Sequence, residues 1–137
     1  MITAVDTDIL LDVFGADPKF GPPSYEALRD CLREGALVAS ELVWAETATA
    51  FGNAGRFREL MNKLPATFSP MTEEAATKAA QAWRRYRAGG GRRDPIAANF
   101  LIGAHALVTA DRLLTRDRGF YRRYFSGLRI VDPTAAR

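Results

Sequence analysis

Three carboxylates stand where acids could act together: Asp6, Glu46 and Asp117. Asp6 ends the apolar run from Met1 to Val5, and Asp117 follows Leu113-Leu114-Thr115. Both runs read as strands, and in an open parallel α/β sheet ligands bind outside the carboxyl ends of the strands. Glu46 lies fewer than two turns into a helix that Ser40 caps, beside Val43, Trp44 and Ala45. Carboxylates crowded at one edge repel and raise one another's pKa. A hard cation relieves that repulsion. Mg²⁺ or Mn²⁺ takes oxygen ligands, keeps several waters and binds phosphate oxygens. With one His and one Cys in the chain, a zinc site built of His and Cys ligands is excluded. Beside a basic rim, the chemistry of such an ion is phosphodiester hydrolysis: it polarises the phosphate, lowers the pKa of a bound water and steadies the leaving oxygen. Taken alone, Asp6 also reads as a cap on the next helix.

The basic rim is visible in the charge pattern. Net charge is only +3, but ten arginines lie between Arg84 and Arg123 against Asp94, Asp111 and Asp117. Arginine's rigid fork of donors suits phosphate, and concentrated positive charge attracts polyanions. The same arginines also read as a solvated helix face. Arg116 and Arg118 flank Asp117 and are candidates for a nucleic-acid backbone, with ordinary surface charge as the alternative.

The elements that must position these residues follow from periodicity and breakers. Strands are predicted over 1–5, 36–39, 67–69, 113–115 and 128–131. Helices are predicted over 8–14, 23–34, 41–51, 56–64, 72–88, 94–107 and 120–125, with a loop over 15–23. Glu73 and Glu74 open the long helix and Arg84, Arg85 and Arg87 close it, as the helix dipole favours. Gly89-Gly90-Gly91 reads as a mobile turn. Strands alternating with helices predict an α/β fold with a mainly parallel sheet covered on both faces. The 137 residues fit one domain, 1–137, with its own core. A lone Cys31 rules out an intrachain disulfide, and no apolar run reaches the ~18 residues of a membrane span. The expectation is a cytoplasmic protein without a membrane partner.

The stretches AVDTDILLD (Ala4 to Asp12), SELVWAE (Ser40 to Glu46) and NFLIGAHALVTADRLLTRDRGFYRRYF (Asn99 to Phe125) resemble the PIN domain, in the VapC-type toxin branch of bacterial toxin–antitoxin pairs. The resemblance covers nearly the whole chain. It implies a three-layer α/β/α fold, a Mg²⁺- or Mn²⁺-dependent endoribonuclease, an antitoxin protein as partner, and a homodimer. The family's first acid falls on Asp6, its second on Glu46 and its last on Asp117, with Thr115 as the hydroxyl residue before it. Asp6 and Asp117 would hold the metal. Asp8 stands where the family has Asn or Ser, in a supporting or capping place. The family's third acid falls on Asn99. Asn offers a carbonyl oxygen but brings no charge and cannot act as a base. The resemblance therefore implies weakened or lost cleavage, with a catalytically inactive RNA-binding or antitoxin-binding protein as the alternative.

Other residues carry plainer readings. Asp94, five residues before Asn99, points some 140° away on a helix and precedes Pro95, which suits an N-cap. His105 reads as a hydrogen-bonded core residue, Asp12 as a solvated or paired helix residue, and Asp111 as a turn residue. Tyr121 and Tyr124 read as packing residues in preference to base-stacking ones. Trp83 and Tyr86 read as packing against a neighbouring helix or under the antitoxin. DTDIL also resembles the start of haloacid-dehalogenase-type phosphatases, but these need a downstream lysine, and the last lysine is Lys78. A phospho-accepting receiver domain fails for the same reason.

Overall fold

The computed structural model describes residues 1–91 and 97–135. Five strands, β1 (Ile2–Val5), β2 (Ala36–Ala39), β3 (Ala66–Phe68), β4 (Arg112–Leu114) and β5 (Ile130–Val131), form one sheet in the order β3-β2-β1-β4-β5. Every pairing is parallel. The helices among the described residues are α1 (Thr7–Phe14), α2 (Gly21–Glu34), α3 (Glu41–Phe51), α4 (Ala54–Lys63), α5 (Glu73–Ala88), α6 (Ala97–Thr109) and α7 (Arg118–Tyr124). They build the outer layers of an α/β/α sandwich.

Burial explains why the inner strands are short and apolar. Thr3, Ala4 and Val5 of β1, and Arg112, Leu113 and Leu114 of β4, are all buried. Consecutive buried residues point to opposite faces, so both faces of the sheet are covered. Leu113 and Leu114 pair with Ile130 and Val131, and Ala4 pairs with Val38 on one side and Leu113 on the other. The chain runs outward from β1 through β2 to β3, then returns to the far side of β1 for β4 and β5. The order thus reverses at the β1–β4 seam, the topological switch point at which open α/β sheets bind ligands. Asp6 and Thr115 are the residues that leave the two strands there.

The expected elements are present, with shifts that have local causes. Helix α2 starts at Gly21, two residues before the expected Pro23, so Gly21 and Pro22 lie in its first turn and not in the loop. Backbone N–H groups there have no intrahelical acceptor, so proline loses nothing. Helix α4 starts two residues earlier than expected, because the Asn53 side chain accepts from Arg56 N. The last strand shrinks to Ile130–Val131, and Leu128 is buried in the turn before it. The expected helix start at Asp94 lies outside the described residues. Among the described residues, no helix is long and apolar enough to cross a membrane.

A cluster of rings joins α5, α6 and α7. Phe100 is fully buried and meets Trp83, Tyr86, Phe120 and Tyr124, with ring centroids 5.0–6.2 Å apart. This is the helix packing expected of Trp83, Tyr86 and Tyr124. Gly103 is required at this junction, since a Cβ there would stand 2.6 Å from the ring of buried Phe125.

Candidate active site at the carboxyl edge of the sheet

Asp6 is the centre of the site. It leaves β1 with its N–H donating to Leu114 O at 2.9 Å, which fixes it against the β4 strand. It is the N-cap of α1, and its Oδ1 accepts from Thr7 N at 2.7 Å. The reading of Asp6 as a cap on the next helix therefore holds. Its Oδ2 accepts from Thr115 Oγ1 at 2.8 Å and from Tyr121 Oη at 3.1 Å. Asp6 is buried, and that burial pushes its carboxyl up; the three hydrogen bonds pull against it, and the Glu46 charge adds to the rise.

Two further links extend outward from Asp6. Thr7 Oγ1 donates to Glu46 Oε1 at 2.7 Å, so α1 and α3 are tied together one residue from Asp6. Asp117 N donates to Thr115 Oγ1 at 3.0 Å. The Thr115 hydroxyl thus accepts from Asp117 and donates to Asp6. Asp117 itself sits at the N-cap position of α7, with its carboxyl making no capping bond. It lies on the exposed rim, yet partial shielding of the carboxyl from water pushes its pKa up. The connected set is Asp6, Thr7, Glu46, Thr115, Asp117 and Tyr121. Asn99 lies half-buried in the first turn of α6, and no hydrogen bond joins it to Asp6, Glu46 or Asp117.

Asp8 stands beside this set, two residues into α1. Its Oδ2 accepts from Arg116 N at 3.1 Å, while its Oδ1 is buried with no hydrogen-bond partner among the described residues. Burial, and then the charge of Asp6, push its carboxyl up to about 7. An orphaned carboxylate oxygen beside a second carboxylate is an environment that a cation would relieve. Among the described residues, however, no three His, Cys, Asp or Glu side chains form a ready cage for a metal ion. Mg²⁺ does not need one, because it is commonly held by one or two carboxylates, with waters and phosphate oxygens completing its shell. The oxygen-only donor set, Asp6 and Asp117 with Asp8 and Glu46 around them, fits that mode of binding.

The arginines divide. Arg116 makes a two-point pair with Asp12, Nε to Oδ2 at 2.7 Å and the terminal nitrogen to Oδ1 at 2.9 Å. Asp12 is buried and also accepts from Ser24 Oγ at 2.7 Å, so it is a paired residue and not a solvated one. Arg118 is about half exposed, with its Nε 3.5 Å from Asp132. His105 is buried with Nε2 3.0 Å from Ser69 Oγ, and burial pushes its pKa down, as befits a neutral core histidine. Asp111 accepts from Ile2 N at 2.6 Å and so fastens the turn before β4 to β1. Asp94 lies outside the described residues.

Sequence reasoning missed two members of the site. Tyr121 is fully buried, so it packs as expected and has no face for a base, but its hydroxyl also holds Asp6. Burial and the Asp6 charge push its phenol pKa far up, which keeps it a donor. Its spacing was the available signal: Tyr121 is four residues after Asp117, one helical turn along. Thr7 carried no signal beyond its position next to Asp6.

The PIN domain pattern matches residues 3–126. No curated protein gives a significant sequence match. Solved structures do match in shape. A chain of VapBC2 from Rickettsia felis, bound to a DNA fragment from its promoter, superposes with a TM-score of 0.77 at 16% identity, over 96% of this chain and 98% of that one. A chain of VapBC-1 from nontypeable Haemophilus influenzae gives 0.75 at 21% identity, over 98% and 100%. A chain of FitAcB from Neisseria gonorrhoeae gives 0.71 at 19%, over 99% and 100%. With the family pattern spanning both strands that carry the acids, and with these folds superposing over nearly their full length, the chain belongs to the PIN domain family.

Proposed function

We propose that the protein is a metal-dependent endoribonuclease, the VapC-type toxin of a toxin–antitoxin pair. The observation that carries this reading is the hydrogen-bonded set at the β1–β4 seam, where the Thr115 hydroxyl couples buried Asp6 to Asp117 and Thr7 couples the same corner to Glu46. Asp6 and Asp117 would hold Mg²⁺ or Mn²⁺. When bound, that ion supplies charge neutralisation and a water of lowered pKa for attack on a phosphodiester. The protein's own contribution is positioning. Thr115 and Tyr121 fix the Asp6 Oδ2, the Thr7 N–H fixes its Oδ1, and Glu46 is held by Thr7 with its second oxygen open to orient a water. Arg118, about half exposed beside Asp132, would meet the RNA backbone.

The partner and place in the cell follow from the same reading. The toxin–antitoxin likenesses support an antitoxin protein as partner, and a homodimer accords with the VapC-type assignment. A cytoplasmic location accords with an RNA substrate.

Asn99 favours a second reading. A neutral side chain at the third acidic position removes one charge from the site, and an inactive PIN-fold protein that binds RNA or an antitoxin is consistent with it. The experiment that separates the two is RNA cleavage with Mg²⁺ or Mn²⁺ and with chelator, for the natural chain, Asp6→Asn and Asn99→Asp. The nuclease reading expects metal-dependent cleavage that Asp6→Asn abolishes and Asn99→Asp raises by about tenfold or more, equivalent to ~1.4 kcal/mol. RNA retained in chelator, with no cleavage by the natural chain or by Asn99→Asp, would establish the binding reading instead.

A further inference from the structure

We propose that Arg116 is a positioning residue: locked onto buried Asp12, it holds the Thr115–Asp117 segment so that the Thr115 hydroxyl can join Asp6 to Asp117, and it does not contact RNA. The inference rests on the nuclease reading above. Its basis is the set of contacts that Arg116 makes within the protein, by main chain and by side chain. The fork of its guanidinium meets both oxygens of Asp12, at 2.7 and 2.9 Å. The Phe20 ring covers one face, with its centroid 3.9 Å from the guanidinium carbon. Ser24 Oγ also donates to Asp12 Oδ2, the oxygen that accepts from Arg116 Nε. The backbone of the same residue is also fixed, since Arg116 N donates to Asp8 Oδ2.

Asp8 and Asp12 are four residues apart on α1 and so share one face. Residue 116 is therefore fastened to that face at two points, by main chain and by side chain. Its neighbours on either side are the two residues whose placement the site depends on. Thr115 touches Asp6, and Asp117 N touches Thr115. A three-residue segment pinned at its middle has little freedom at its ends. A phosphate approaching Arg116 would find Nε and one terminal nitrogen paired and one face covered by Phe20, with 26% of the side chain exposed, against 48% for Arg118, whose Nε lies 3.5 Å from Asp132. Geometry of this kind, in which an outer residue orients inner ligands, commonly carries 10–100-fold in metal affinity.

The test compares the natural chain with Arg116→Ala, Arg116→Lys and Asp12→Asn. Two quantities are measured: Mn²⁺ affinity by calorimetry, and RNA affinity in chelator across a salt series. The expected result is a loss of about tenfold or more in Mn²⁺ affinity for Arg116→Ala. Arg116→Lys falls with it, because lysine keeps the charge but lacks the fork. RNA affinity in chelator, and its salt slope, stay at the natural value. Should Arg116→Ala fail to fold, Arg116→Lys and Asp12→Asn carry the same comparison. A loss of RNA affinity in chelator, with the salt slope reduced by about one, would make Arg116 a phosphate contact and overturn the inference. Unchanged Mn²⁺ affinity in every folded variant would overturn it as well. A natural chain that neither binds Mn²⁺ nor cleaves RNA defeats the nuclease reading itself, a failure distinct from that of Arg116 alone.

Discussion

Replacing Asp8 by Asn should stabilise the metal-free protein at alkaline pH. Asp8 has one carboxylate oxygen on Arg116 N and the other buried without a partner among the described residues. Burial and the Asp6 charge raise its pKa from 3.8 to about 7. The folded protein therefore holds this proton more tightly than the unfolded chain does. Stability from this group is greatest below pH ~4, falls as pH rises toward 7, and is level beyond. Each tenfold gain in proton affinity corresponds to about 1.4 kcal/mol, so the whole window is worth ~4 kcal/mol and the span from pH 5 to 8 about 3 kcal/mol. Asparagine never ionises and escapes that loss. It keeps an acceptor for Arg116 N but puts an N–H₂ where the orphaned oxygen was, at a cost of about 1–3 kcal/mol. The net expectation is a gain of about 1–3 kcal/mol at pH 8 and a loss at pH 4. Urea unfolding in chelator at pH 4, 5 and 8 measures both. A variant as steeply pH-dependent as the natural chain, or one less stable at pH 8, would refute the reasoning.

Other perturbations follow from the same geometry. Tyr121→Phe removes a buried hydroxyl from Asp6 Oδ2 and should cost about 1–2 kcal/mol, or roughly 3–6 °C in Tm by calorimetry. Because that hydrogen bond lowers the Asp6 pKa, its loss should also move the acid limb of metal-dependent cleavage to higher pH, read from a rate–pH profile. Gly103→Ala forces a methyl to within 2.6 Å of the Phe125 ring and should cost about 1–3 kcal/mol in urea unfolding while leaving the denaturant slope unchanged.

The fold was readable because the sheet is buried on both sides. Short apolar runs such as Ala36 to Ala39 and Leu113-Leu114, each followed by a capping residue or an acid, leave few alternatives to parallel strands with helices between. Boundaries moved where local chemistry is permissive, as at Pro22, which read as loop but suits a first helical turn. For the site, strand ends pointed to Asp6 and Asp117, because a side chain leaving a strand at the switch point has one edge to face. The hydrogen bonds that organise these acids were not readable. Tyr121 donates across 115 residues of sequence to Asp6, and Arg116 reaches back across 104 to Asp12. Pairing over such separations depends on the register of β1 against β4. An arginine beside an acid in a basic stretch looks the same in sequence whether it meets RNA or a buried carboxylate.

The nuclease reading requires that Asp6 and Asp117 share a divalent cation at the β1–β4 seam. The most direct measurement is anomalous diffraction from crystals soaked in Mn²⁺. The expected result is a peak about 2.0–2.2 Å from carboxylate oxygens of both residues, lost in Asp6→Asn crystals treated alike. Saturating Mn²⁺ with no peak between these two carboxylates would contradict it.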